Sequence, residues 1–361
     1  MSLSTTVDVL IIGGGPAGLG AATTISRLKR SCLLYDSGLY RNEVVEHSHT
    51  IAGFEGGNPK DFKHKVRGDL EGFYSDTLEF RNGLITNLRK LDDIQHGHAF
   101  EALDSEGKLI VAKKVVLATG IKDHLPDIEG VKEQWGKRII HCIFCHGTET
   151  ANAPFAFLFT KANRMMNEKL VETMLKLWKN LNHTYRYVLT HGMDVNTLEG
   201  RKDAGLEGKL DLLKKLGYQI ISTPIQSILE DSSKSHLIIT FTDKSTISVP
   251  AMLLFPEKFT PSEHSAPLLT EELLGDKLQA WGTIPGPPAS GSGATGLPPR
   301  MGDDPRTPVR GLFWAGNSGS AAANVTLSLA QGQMAGVIAG DQLGEEELAE
   351  LQSTYSTTYL L

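Results

Sequence analysis

An apolar strand that runs straight into three glycines constrains this chain more than any other feature. Val7-Asp8-Val9-Leu10-Ile11-Ile12 reads as a buried parallel strand with one polar interruption. Gly13-Gly14-Gly15-Pro16-Ala17-Gly18 follows at once, and then an apolar helical stretch to Leu28. This is G-x-G-x-x-G in the strand–turn–helix setting of a dinucleotide-binding unit. Gly13 permits the tight turn, Gly15 lets a pyrophosphate approach the backbone, and Gly18 lets helix and strand pack closely. The helix start offers N–H groups and partial positive charge to phosphate. A second strand, Ser31 to Tyr35, ends in Asp36, an acidic residue about 20 positions after the glycines, where a ribose hydroxyl is bound. An aspartate there argues against a 2′-phosphorylated ribose. Cys32, on that strand, reads as a small core hydrophobe.

Two later segments extend the pattern. Lys114 to Gly120 is another buried strand, ending in Ala118-Thr119-Gly120. Near the other end, Gly311 to Asn317 is a strand and turn ending in Ala315-Gly316-Asn317, followed by a helix from Ala321 to Ala339. This pairing of strand–ATG with strand–AGN resembles the two-dinucleotide-binding flavoproteins, where AGD is the usual second element. The resemblance implies FAD, with its domain assembled from both ends of the chain. It also implies that the last helix points its N-terminus at the flavin and stabilises the charge of the reduced ring. Ser320 or Asn324 caps that helix, with Val325 near its start. Asn317 in place of Asp keeps a polar contact to the ribityl or phosphate region but removes a charge.

The second informative stretch is His141-Cys142-Ile143-Phe144-Cys145-His146-Gly147, which holds two of the three cysteines. Three cysteines make no disulfide framework, so the compartment reads as reducing and the C-x-x-C as redox or metal chemistry. The strand opens almost at once after Met1, leaving no room for a signal peptide, and no apolar run is long enough to span a bilayer. A cytoplasmic protein is expected. A net charge of −6 over 361 residues points to no nucleic acid and no anionic membrane as partner. Four readings of the pair stand open. Zinc needs two further ligands, and only His141, His146 and His191 offer themselves. The others are buried structural thiols, a relay delivering electrons to a disulfide, and the same relay run backwards from a substrate dithiol.

The order of segments resembles low-molecular-weight thioredoxin reductases over nearly the whole chain. That implies an α/β fold of two Rossmann-like dinucleotide-binding domains. The expected boundaries are 1–122 for the first FAD segment, 123–250 for an inserted NADPH-like domain carrying C-x-x-C, and 251–361 for the second FAD segment. In the reductases the inserted domain has its own glycine-rich turn and a basic cluster for the 2′-phosphate. Here the predicted strand Ala153 to Phe159 leads into Thr160-Lys161-Ala162-Asn163-Arg164-Met165-Met166, and no glycine occurs from Thr148 through His191. Bulky side chains then occupy the space a pyrophosphate needs. A lysine-rich outer helix, Glu168 to Asn180, and a strand, Thr184 to Thr190, lead to His191-Gly192-Met193-Asp194 and not to arginines. Arg201 and Lys202 read as plain surface charges. The domain shape survives and its nucleotide site is degenerate.

A narrower resemblance rests on H-C-x-F-C-H-G, on Ala118-Thr119-Gly120-Ile121-Lys122-Asp123-His124, on Arg41-Asn42 with His47-Ser48-His49, and on AGN. These are similar to the fungal thioredoxin-reductase-like dithiol oxidases of the gliotoxin-oxidase subgroup. The resemblance implies a homodimer binding FAD but not NADPH. It also implies oxygen as acceptor, hydrogen peroxide as by-product, and disulfide closure in a small natural product. Arg41 and Asn42 join the cofactor set with Gly13, Gly15, Gly18, Asp36, Gly120, Gly316, Asn317 and Val325. Cys142 is then the outer sulfur, attacked by a substrate thiolate, and Cys145 the inner sulfur that hands electrons to the flavin. His146 stands where the reductases have an acid, and suits a base that takes the substrate's thiol proton. His141 and His124 are weaker candidates. The alternatives are an NADPH-dependent reductase and a flavin-binding redox sensor. The segment Ile284 to Pro299, dense in Gly, Pro and Ser, reads as an exposed loop.

Overall fold

A computed structural model describes residues 5–91, 100–161, 168–279, 282–286, 304–320 and 323–358. The chain divides into two compact units, one built from 1–41, 60–122 and 260–361, the other from 42–59 and 123–259. Among the described residues no helix is long and apolar enough to cross a membrane.

In the first unit, β1 (Thr5–Ile12), α1 (Pro16–Arg27), β2 (Cys32–Asp36), β3 (Leu78–Asn82), β4 (Ile85–Lys90), β5 (Phe100–Asp104) and β6 (Leu109–Leu117) build a sheet ordered β3-β2-β1-β6-β5-β4. β3, β2, β1 and β6 run parallel, and the strand Leu312–Trp314 adds in parallel to the end of β6. Strands buried on both faces must be apolar at successive positions, and β1 is. Its Leu10 and Ile12 pack with Leu33, Val115, Leu117 and Trp314. Its Val9 and Ile11 pack on the other face with Ala17, Ala21 and Ile25 of α1. The polar interruption has a local cause. Asp8 lies 2.9 Å from Lys113 Nζ and accepts from the Ser31 N–H at 3.0 Å and its hydroxyl at 2.9 Å. Cys32 is buried and free, and burial pushes its thiol up, as befits a core residue.

The closing helix runs from Val325 to Thr358, well beyond the expected end at Ala339, while its expected first residue, Ala321, lies outside the described residues. It lies against α1 through glycines. A Cβ on Gly332 would stand 1.9 Å from the Ala17 carbonyl oxygen, and one on Gly20 would stand 2.4 Å from that of Leu329. Farther along, Glu346 closes on the buried Lys114 at 2.6 Å.

The second unit repeats the winding. Its parallel sheet has the order Tyr218–Ile221, Arg186–Leu189, Phe155–Leu158, Ala251–Leu254, Ile139–Ile140. A three-stranded antiparallel sheet, Ile225–Asp231, His236–Phe241 and Thr246–Val249, precedes the return strand. Two expected boundaries are corrected here. The closing FAD segment begins at Thr260, not 251, because Ala251–Leu254 pairs with Phe155–Leu158 in this sheet. Residues 42–59, expected in the first FAD segment, group with the second unit. The outer helix is Glu168–Trp178 with a 3-10 turn to Leu181. Positions 287–299 of the Gly/Pro loop and 162–166 after the strand lie outside the described residues.

Candidate active site

The first unit holds a dinucleotide cradle. Gly13 leaves β1 at φ 117°, its N–H donating to Tyr35 O at 2.9 Å. A Cβ there would stand 2.3 Å from Ala118 O, and one on Gly18 would stand 1.9 Å from Gly13 O. Both glycines are therefore required by backbone packing. Gly15, which precedes Pro16 at the start of α1, has nothing within 4 Å of its Cβ direction, and neither has Gly120. That open space before a helix N-terminus fits a pyrophosphate. Asp36 sits over Gly14, whose Cβ would meet its carboxylate at 2.1 Å, and accepts from the Gly38 N–H at 2.9 Å and from the Tyr40 hydroxyl.

The two distant turns meet in this unit. Ser318 Oγ accepts the Gly120 N–H at 2.8 Å, a tie that carried no signal in the sequence. Gly316, at φ 67°, packs on Ala17. Asn317 donates its amide to Ser320 O at 2.8 Å and Ala323 O at 3.2 Å, and its Oδ1 lies 3.5 Å from Arg41 Nη1. Those two donors, which an aspartate lacks, give a structural reason for AGN in place of AGD. Asn324 is the cap: its Oδ1 accepts the Leu327 N–H at 2.8 Å, and Val325 opens the helix. The cradle thus brings together Gly13, Gly15, Gly18, Asp36, Arg41, Gly120, Gly316, Asn317 and Val325. Asn42, the next residue in the chain after Arg41, groups with the second unit.

The redox turn lies in the second unit. Cys142 and Cys145 are joined as a disulfide with Cα atoms 5.3 Å apart. Cys142 caps a four-residue helix, Ile143–His146, and its carbonyl accepts from the Cys145 and His146 N–H groups at 3.3 Å. Both cysteines are half-buried, and Phe144 between them is 63% exposed. Gly147 ends the helix, and a buried network holds it. Thr150 Oγ1 donates to Gly147 O at 2.7 Å and lies 2.9 Å from Nε2 of His183. His183 stacks on Phe155 at 4.6 Å, and burial lowers its pKa to about 4. It therefore remains neutral and donates to Thr150. His141 stacks on Trp135 at 5.2 Å.

His146 is half-buried beside the pair. Burial lowers its pKa; Glu149 opposes that, and His49 and His47 add to it. His47 and His49 come from segment 42–59. The sequence offered them only as part of a resemblance, and no local spacing showed that they would meet a histidine so far along the chain. Among the described residues no three His, Cys, Asp or Glu side chains assemble into a metal-binding set.

The degenerate turn is visible in register. Ile12 pairs with Tyr35 and Gly13 N–H donates to Tyr35 O; Leu158 pairs with Leu189 and Phe159 N–H donates to Leu189 O at 2.9 Å. Phe159 thus stands where the first unit has Gly13, fully buried, and Lys161 where it has Gly15. Lys161 pairs with Asp203 at 2.8 Å. His191 accepts the Ile225 N–H on Nδ1 at 3.0 Å, and Arg201 donates to the carbonyls of Asn196 and Thr197, so both are committed to their own loops.

Residues 7–167 match the model of the pyridine nucleotide-disulphide oxidoreductase family. The chain is 31% identical to the thioredoxin reductase aclD of Aspergillus oryzae, over 95% of this chain and 98% of that protein. It is 30% identical to the thioredoxin reductase tcpT of Claviceps purpurea, over 95% and 96%. In fold it is similar to HlmI, with a TM-score of 0.78 at 23% identity, covering 99% of this chain and all of that one.

Proposed function

Given that the chain belongs to the thioredoxin reductase-like pyridine nucleotide-disulphide oxidoreductases, we propose that it oxidises a small-molecule dithiol to a disulfide, using FAD, with O2 as acceptor. The overall change is R(SH)2 + O2 → RS2 + H2O2. The observation that carries this reading is the turn after Phe155–Leu158. Phe159 stands where the first unit has the tight-turn Gly13, and Lys161 where it has Gly15, the glycine that lets a pyrophosphate approach the backbone, which argues against NADPH in the second unit. Electrons must then enter elsewhere, and the disulfide is the group able to receive them.

A substrate thiolate attacks Cys142, which breaks the Cys142–Cys145 bond, releases Cys145 as thiolate and forms a mixed disulfide. The second substrate thiolate attacks the substrate sulfur of that bond, closing the product disulfide and releasing Cys142 as thiolate. His146, neutral near pH 7 and half-buried, takes the proton from each incoming substrate thiol in turn and passes it to solvent, and two protons re-enter with the formation of H2O2. Re-forming the Cys142–Cys145 bond delivers two electrons onward. Bound FAD supplies the two-electron acceptor and the reaction with O2, held by the Gly13–Gly18 turn, Asp36 and the start of the closing helix. A homodimer in the cytoplasm is part of the same reading.

The reductase reading is favoured by one fact, that the relatives aclD and tcpT are thioredoxin reductases by name. An anaerobic titration of the flavin absorbance separates the two. On the oxidase reading NADPH leaves the absorbance unchanged, dithiothreitol bleaches it, and admitted air restores it with peroxide formed. Bleaching by NADPH without dithiol sinks this proposal and restores the reductase.

A further inference from the structure

The four-residue helix that carries His146 is too short to fix a side chain by its own packing. Among the described residues no hydrogen bond holds the His146 ring; its surroundings are buried atoms, Glu149, His49 and His47. The ring it meets is fixed instead. His49 lies edge-on to His146, with centroids 5.9 Å apart and planes at 87°. Its Nδ1 lies 2.8 Å from Glu55 Oε1 and its Nε2 3.1 Å from Glu149 Oε1. Glu55 is anchored in turn, since its other oxygen accepts the Thr50 N–H at 2.8 Å. His47 is tied separately, with Nδ1 3.1 Å from Gly56 O.

We infer that His49, clamped between Glu55 and Glu149, is the positioning residue that holds the imidazole of His146 in its working orientation. The clamp joins segment 42–59 to the turn that follows the redox helix. A carboxylate on each ring nitrogen removes the freedom of the His49 ring to flip, and its edge then limits His146 to few rotamers. Among the described residues no hydrogen bond occupies either nitrogen of His146, which leaves them open for proton transfer. The inference rests on the reading of His146 as base in dithiol oxidation.

The test uses the full-length, FAD-loaded protein with dithiothreitol as probe, and two readouts. One is the anaerobic rate at which the Cys142–Cys145 disulfide opens, followed by quenched thiol alkylation across pH. The other is dithiothreitol-driven oxygen uptake. His49→Ala should slow disulfide opening about tenfold and move the acid limb of the profile to higher pH, because a ring that opposes protonation of His146 is gone. His49→Gln, which still reaches one carboxylate, should recover part of the rate. Glu149→Gln should move the limb to lower pH, because the charge favouring protonated His146 is removed. It also covers the case in which His49→Ala does not fold. Variants with wild-type opening rates and an unmoved limb, whatever their melting temperature, overturn the inference. A wild type whose disulfide opens but which takes up no oxygen overturns the proposed function instead.

Discussion

In the first unit the chain leaves its central strand through Gly13, at φ 117°, beneath a carbonyl that tolerates no side chain. In the second it leaves the matching strand through Phe159, which holds no left-handed φ and is buried. The order of strands beside the two turns is alike. Each central strand is flanked by the second and then the third strand on one side, with a return strand on the other and a meander before it. Strand order follows from which apolar faces must be covered, and it survives the exchange of the turn. Nucleotide binding depends on space at the turn, and on the proposed reading it is lost with the glycines. Behind the second turn, at the register of Val9 and Ile11 in the first, Phe155 and Phe157 pack on Trp178 at 4.7 and 5.1 Å. On the proposed reading the same winding serves as a cofactor cradle in one half and as a packed support for a dithiol turn in the other.

The strongest way to break this contrast is to put a methyl into the first turn. Gly18→Ala sets a Cβ 1.9 Å from Gly13 O, where both partners are backbone and neither can rotate away. The expected cost is about 4 kcal/mol or more, with loss of bound flavin. Flavin absorbance per mole of protein and the thermal midpoint measure it; a variant that keeps its yellow colour and its midpoint would show that helix and strand are not in the contact described.

The converse change probes the second turn. Phe159→Gly restores the glycine but empties a packed site, so about 3 to 4 kcal/mol of stability should be lost. No NADPH affinity should appear in its place, because Lys161 still stands at the pyrophosphate approach and Thr190, not an acid or a basic cluster, follows the second strand. Titration calorimetry with NADPH decides this; binding by the variant alone would mean that a single ring separates the two halves.

How much of this contrast the sequence carries differs by kind of interaction. The strand–turn–helix, Asp36, the strand before Phe159 and the C-x-x-C are legible because each is set by neighbours a few residues apart. The absence of glycine between Thr148 and His191 is legible for the same reason. Contacts across long separations are not. Nothing local says that Gly332 must face Ala17, or that Ser318 must reach Gly120. Segment 42–59 lies between two pieces of the first unit in sequence, and only through-space contacts such as His49 with Glu149 assign it to the second. Asn317 was legible as a polar residue of the cofactor turn. That its amide bonds the carbonyls of Ser320 and Ala323 depends on how the chain curls before Asn324.

The smallest expected effect separates the two halves by pH. The support under the redox turn contains a buried titratable ring, His183, whose folded pKa of about 4 lies below the ordinary 6.5 because burial disfavours the cation. Above about pH 6.5 the ring is neutral in both folded and unfolded chains, and its contribution to stability is complete. As pH falls toward 4 the unfolded chain binds a proton that the folded one refuses, and up to about 3 kcal/mol is lost. Below that no further loss comes from this group. Burial also lowers the pKa of His146 and His191 of the same unit, but His183 is shifted most, so the largest share of the acid sensitivity belongs to the aromatic support of the dithiol turn. Denaturant melts between pH 8 and 4 should show the slope in the wild type. In His183→Gln, whose amide still donates to Thr150 but whose ring stack on Phe155 is lost, stability should be lower at pH 8 and the slope flattened. Parallel slopes in the two proteins would place the acid-labile group elsewhere and remove this difference between the halves.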